Sequence, residues 1–140
     1  MTKEQLSTAL DIKRKLSRFE DRLSDLRAAG GVRTSLQAAG GRGGGNGNAA
    51  ELAGELAEEI AGLRKDLEIE QKIIRRELEK LELDGLEKQL MRLRYVDCRE
   101  WTEVAAKMAY SKITVLKKHA DIIKRMKRME ERAGGDEVTG

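Results

Sequence analysis

The chain has 140 residues, a net charge of +3, 38% charged side chains, no proline and only four aromatic residues, a composition that favours long helices over a sheet. Its single cysteine, Cys98, excludes an internal disulfide and a cysteine-based zinc site, and fits a reducing compartment. The N-terminus lacks the pattern of a signal peptide and no apolar run approaches the ~18 residues of a membrane span, so no membrane association is expected and the expected location is cytoplasmic.

The expected fold is all-α: a long helical, coiled-coil-like hairpin arm with a glycine-rich break, followed by a small C-terminal helix-turn-helix domain. A first amphipathic helix is expected over 1–29, opened by the capping box Thr2-x-x-Gln5. Its apolar positions Ala9, Ile12, Leu16, Phe19, Leu23 and Leu26 step by three and four residues, the spacing of a seam that packs lengthwise on another helix. Residues 30–48 hold 8 glycines in 19 positions and are expected to form a flexible linker. The run GGRGGGNGN lacks the Lys-Ser/Thr end of a phosphate-binding loop and follows no strand.

A second long helix is expected over 49–84, with Asn48-x-x-Glu51 as its capping box. Leu52, Leu56, Ile60, Leu63, Leu67, Ile74, Leu78 and Leu81 form its seam, interrupted at Glu70. At ~54 Å it outruns the first helix, so an antiparallel hairpin leaves part of the seam to be covered by the C-terminal domain or by a second copy. The expectation leans to a homodimer through the long helices.

Asp84-Gly85 breaks this helix and Asp84-x-x-Glu87 caps the next, whose expected inner face is Leu86, Leu90, Leu93 and Tyr95 or Val96. Asp97-x-x-Glu100 offers a further cap before Trp101, read as a core anchor. The stretch 101–126 then reads as helix, turn, helix. Val104, Ala105 and Met108 face inward, the chain breaks at Ala109-Tyr110, and Ser111 opens the second helix. At about 100° per residue, Val115, His119, Ile122 and Met126 share its buried side, while Ile113, Thr114, Lys117, Asp121 and Lys124 share the opposite one. The domain is expected over 85–132, with 133–140 as a disordered tail.

Charge follows this division. Residues 86–132 carry 13 basic and 7 acidic side chains, a balance of +6, whereas 49–85 carry 6 and 11, a balance of −5. A basic helix-turn-helix beside an acidic arm suits a polyanion binder. On double-stranded DNA, Ser111 would cap the recognition helix and offer its N-terminus to a phosphate. Lys112, Lys117, Lys118 and Lys124 would meet phosphates, with Arg125, Lys127 and Arg128 continuing the ridge. Thr114 and Lys117 would reach base edges, Ile113 a thymine methyl, and Asp121 shares their face. His119, alone on the buried side, reads as structural; no metal, cofactor or catalytic residue is expected, and the chain does not read as an enzyme.

The segment LMRLRYVDCREWTEVAAKMAYSKITVLKKHADII resembles the region-4 helix-turn-helix of sigma-70 factors, and more closely the sigma-like transcription regulators of phages and prophages of Gram-positive bacteria. The matching residues are Leu90 or Leu93, Arg94, Tyr95, Trp101, Glu103, Val104, Ala105, Met108, Tyr110, Ser111, Val115 and His119. Cys98 and Ala109 stand where that pattern has turn glycines, Glu100 where it has a Ser or Thr cap, and Lys118 where it has Leu or Ile. Asp97 is expected to replace the cap, Leu116 or Ile122 the lost packing, and Ala109 must avoid positive φ or accept strain of roughly 1 kcal/mol. The resemblance implies sequence-specific DNA binding in transcription regulation and a contact to RNA polymerase. A phage DNA-packaging adaptor of the small-terminase kind is the alternative, and a coiled structural protein without nucleic acid a third reading.

Overall fold

The computed structural model describes the backbone of residues 1–40 and 44–139 and the side chains of 1–29 and 48–132. The fold is all-α, and no strand occurs among the described residues. In chain order it comprises α1 (Lys3–Gly40), α2 (Gly44–Lys80), α3 (Gly85–Met91), a π-helical turn (Arg92–Val96), α4 (Trp101–Met108) and α5 (Lys112–Thr139). Two compact units result, one of Met1–Asp11 with Glu68–Gly140, the other of Ile12–Leu67.

In the Ile12–Leu67 unit α1 and α2 form an antiparallel hairpin. Arg64 Nη2 donates to Glu20 Oε2 at 2.9 Å, and Arg22 and Leu26 border the same groove as Leu52, Glu55, Leu56 and Glu59. Leu16, Leu23, Leu56, Ile60 and Leu67 are buried, as their three-four spacing requires. Leu52 departs from the expected seam and is 53% exposed. It borders an open groove with Leu26, among the charged side chains of Arg22, Glu55 and Glu59.

The linker expected over 30–48 is shorter than its glycine content suggests. Helix α1 continues past Ala29 to Gly40 and α2 begins at Gly44; residues 41–43 of that expectation lie outside the described residues. Once a helix is nucleated each further residue adds a hydrogen bond, and Arg33, Leu36, Gln37, Ala38 and Ala39 favour propagation. Asn48 therefore lies inside α2 and opens nothing. The same logic carries α5 to Thr139, through most of the tail expected to be disordered.

In the other unit, the Thr2-Gln5 box forms in both directions: Thr2 N–H donates to Gln5 Oε1 at 2.8 Å and Gln5 N–H to Thr2 Oγ1 at 3.1 Å. Leu6, Ala9 and Leu10 are buried here, a wider face than the seam alone predicts. Glu70 is half-buried at a polar edge shared with Gln5 and Thr8, which explains how the seam tolerates it. Ile74 and Leu78 are buried within this unit, Gln71 Nε2 donates to the Val96 carbonyl at 2.7 Å, and Glu79 pairs with Lys88 and Arg92. The surplus of α2 is thus covered by the C-terminal helices of the same chain, together with the first turns of α1.

Helix α2 ends at Lys80, short of the expected 84. Asp84 then caps α3 with a complete box: Glu87 N–H donates to Asp84 Oδ1 at 2.8 Å and Asp84 N–H to Glu87 Oε1 at 3.1 Å. Leu90 and Met91 are buried, but Leu86, expected on the inner face, is 51% exposed in the first turn.

Candidate nucleic-acid interface

Leu93, Arg94, Tyr95 and Val96 are all buried, which no regular amphipathic helix could achieve on one face. The π-turn is the reason. Its wider ring, closed by Asp97 N–H donating to the Arg92 carbonyl at 2.9 Å, turns consecutive side chains toward several neighbouring elements. Arg99 N–H then donates to the Leu93 carbonyl at 2.9 Å and folds the chain back. Cys98 takes a left-handed conformation in this return, with φ 56°. Asp97 does not cap α4. Glu100 occupies the N-cap position and offers no side-chain hydrogen bond, because the return loop places Asp97 too early.

Arg94 holds that loop. Its Nη1 donates to the Arg99 carbonyl at 2.9 Å, the Glu100 carboxylate lies 3.9 Å away, and the guanidinium carbon sits 4.6 Å from the Trp101 ring centroid. Trp101 is therefore half-buried between a cation and His119, whose ring meets it edge-on at 4.6 Å. His119 Nε2 lies 2.5 Å from the Tyr95 hydroxyl. Burial pulls the His119 pKa down to about 4, aided by the positive charges of Lys3 and Arg94. Burial also raises Tyr95, against a smaller opposing effect of Arg94. At neutral pH the phenol thus keeps its proton, the imidazole is uncharged, and the two share a hydrogen bond. His119 lies half-buried on the inner side of α5, where its register places it; Tyr95 is among the residues expected on an inner face, but Arg94 has no signal beyond its place in the resemblance.

Helix α4 turns Val104 and Ala105 inward, with Met108 half-buried. It ends in a Schellman turn: Tyr110 N–H donates to the Ala105 carbonyl at 3.0 Å and Ala109 N–H to the Ala106 carbonyl at 3.2 Å. Ala109 has φ 58°, so the bend accepts left-handed strain. Ser111 then caps α5, its Oγ accepting from Thr114 N–H at 3.1 Å. Val115, Ile122 and Met126 are buried and His119 half-buried; Ile122 supplies the packing that Lys118 cannot.

Across from this buried side, α5 presents the predicted residues. Ile113, Lys117, Asp121 and Lys124 are exposed, with Lys112 and Lys118 exposed beside them. Thr114 is half-buried, and its hydroxyl lies 2.8 Å from Ser111 Oγ, so the capping pair occupies it. Lys118 Nζ rests 5.5 Å from the Tyr110 ring centroid. None of the four lysines forms an ion pair among the described residues. Arg125 behaves differently. Asp121 holds its Nε at 3.2 Å and Glu87, the capping residue of α3, contacts Nη2, so this arginine ties α3 to α5 rather than extending the free basic ridge.

No family model, curated protein or solved structure matches this chain. The assignment of a role to this surface therefore rests on its geometry and charge. Among the described residues no cluster of His, Cys, Asp or Glu is arranged to hold a metal ion, and no helix is long and apolar enough to cross a membrane.

Replacing Ala109 with glycine should raise stability by roughly 1 kcal/mol, since glycine takes positive φ without a Cβ clash; a lower urea midpoint would contradict the strained bend. Protonation of His119 gives a second test. Its folded pKa of about 4 lies below the unfolded value near 6.5, so the unfolded chain binds the proton first. This contribution is complete above pH 6.5 and is lost as pH falls from there to about 4, and solvent screening around the half-buried ring holds it to on the order of 1–2 kcal/mol. Urea midpoints across that window should fall in the native chain and vary less in His119→Gln.

Proposed function

We propose that the protein binds double-stranded DNA through the α4–α5 helix-turn-helix, with α5 in the major groove, and acts in transcription regulation as a sigma-like regulator of the phage and prophage type. The role is one of binding rather than catalysis. The observation that carries it is the selective pairing of charge: Arg94 and Arg125 are engaged inside the domain, while Lys112, Lys117, Lys118 and Lys124 stand exposed without ion pairs among the described residues. Unpaired cations on the outer side of a helix that follows a tight turn are suited to phosphates flanking a groove. Ser111 caps the N-terminus of α5, the end that a helix offers to a phosphate.

The RNA polymerase contact is part of this proposal through the resemblance to sigma region 4. So is a homodimer. With Ile74 and Leu78 covered inside the chain, its support is the exposure of Leu52, Ile69 and Ile73 on α2.

Duplex DNA binding should weaken steeply with salt, the slope of log K against log salt falling by roughly 0.9 for each phosphate contact removed. The double variant Lys117→Ala, Lys118→Ala should show both lower affinity and a shallower slope. DNA from the surrounding genome should be preferred over random duplex, and the variant should lose that preference. Binding that is salt-independent, or unaltered in the variant, would remove α5 as the interface. In solution, light scattering should return twice 15.7 kDa at micromolar concentration; a mass of 15.7 kDa would eliminate the dimer.

A further inference from the structure

On the outer face of α5, two of the polar groups that would meet base edges are already engaged, while Lys117 stays exposed without an ion pair among the described residues. Thr114 shares its hydroxyl with Ser111 at 2.8 Å, and Asp121 is held by Arg125 at 3.2 Å. Ile113 is instead 67% exposed in the first turn of α5, and Leu116, three residues on, is 37% exposed. Ala120, seven residues after Ile113, is exposed on the same side. These positions make an apolar stripe beside Lys112 and Lys117. In a major groove, the apolar feature on a base-pair edge is the C5-methyl group of a pyrimidine, and phosphates flank it on both sides.

The geometry points to recognition of pyrimidine C5-methyl groups by Ile113 and Leu116, with the neighbouring lysines on the flanking phosphates. This rests on the DNA-binding reading above and adds what that reading leaves open, the chemical feature by which one duplex is preferred over another. Cation and apolar stripe fit a single partner: the lysines complement the phosphate charge, while a methyl-lined groove covers the side chains that water otherwise meets. Thymine and 5-methylcytosine carry the same methyl at the same place, so both satisfy the stripe.

The test uses the full chain and defined alternating duplexes at fixed moderate salt. One pair compares alternating dA-dT with dA-dU, and the other alternating dG-dC with its 5-methylcytosine counterpart. Each duplex repeats its steps, so every register of α5 in the groove meets the group under test. The expected result is tighter binding of the methylated member in either pair, by about fourfold for each methyl buried, equivalent to ~0.8 kcal/mol. Ile113→Ala should abolish the difference while leaving the salt slope intact; this side chain is exposed, so its truncation leaves the core unaltered. A gain confined to dA-dT identifies thymine as the source, and a gain in both pairs identifies the methyl irrespective of base.

Tight, salt-sensitive binding with no methyl preference in either pair would overturn methyl recognition and leave DNA binding standing. A preference that survives in Ile113→Ala would overturn it too, because duplex shape rather than the stripe would then be read. No binding to any duplex at low salt would overturn both readings together.

Discussion

His119 reaches from α5 to the Tyr95 hydroxyl on the π-turn and to the edge of Trp101 on α4, so three elements converge on one imidazole that must stay uncharged. Arg94 against the Trp101 ring makes that requirement stricter, since a second cation in the cluster would meet a buried guanidinium. The neutral ring serves as hydrogen-bond partner to Tyr95 and as aromatic partner to Trp101 at once. Placement of α5 follows from it, because Val115 and Ile122 are buried on the same side of the helix as His119.

The distribution of charge complements that core. Several arginines are engaged within the fold: Arg94 with the return loop, Arg125 with Glu87 and Asp121, Arg99 with Glu103, Arg64 with Glu20. Lysines of α5 are left on the outside. This division suits the two side chains, since a planar guanidinium organises several acceptors while an ammonium on a flexible stem adapts to a diffuse anionic surface. Glu87 links the two uses, closing the cap of α3 with one oxygen and meeting Arg125 with the other.

Much of this was readable from residue order alone, and what was readable was local. The Thr2-Gln5 and Asp84-Glu87 boxes and the Ser111 cap need only residues three apart, and all three form. The two faces of α5 separate as about 100° per residue requires, because the helix is regular and one side is covered. Failures occur where tertiary surroundings decide. Asn48-x-x-Glu51 has the right letters, but α2 already begins at Gly44. Leu52 and Leu86 fall on the right stripe and are nevertheless half exposed. Asp97-x-x-Glu100 has the spacing of a cap, but the chain returns through Arg99 to the Leu93 carbonyl before α4 begins. Nothing in hydrophobic period announces the change to a π-turn, and hence the roles of Arg94 and Tyr95 stayed hidden.

That turn makes the domain sensitive to length rather than to composition. A π-turn takes one more residue into each hydrogen-bonded ring than an α-turn does, and so amounts to an insertion absorbed within a helix. Removing a single residue from 92–96 would let the segment relax to regular α geometry and rotate the chain beyond it by about 100°. Arg94 would leave Trp101, Tyr95 would leave His119, and α5 would lose its anchor although every apolar side chain of the core were still present. Substitutions on the surface of α5 thus leave this core in place, while the spacing between Met91 and Asp97 is held to a fixed count.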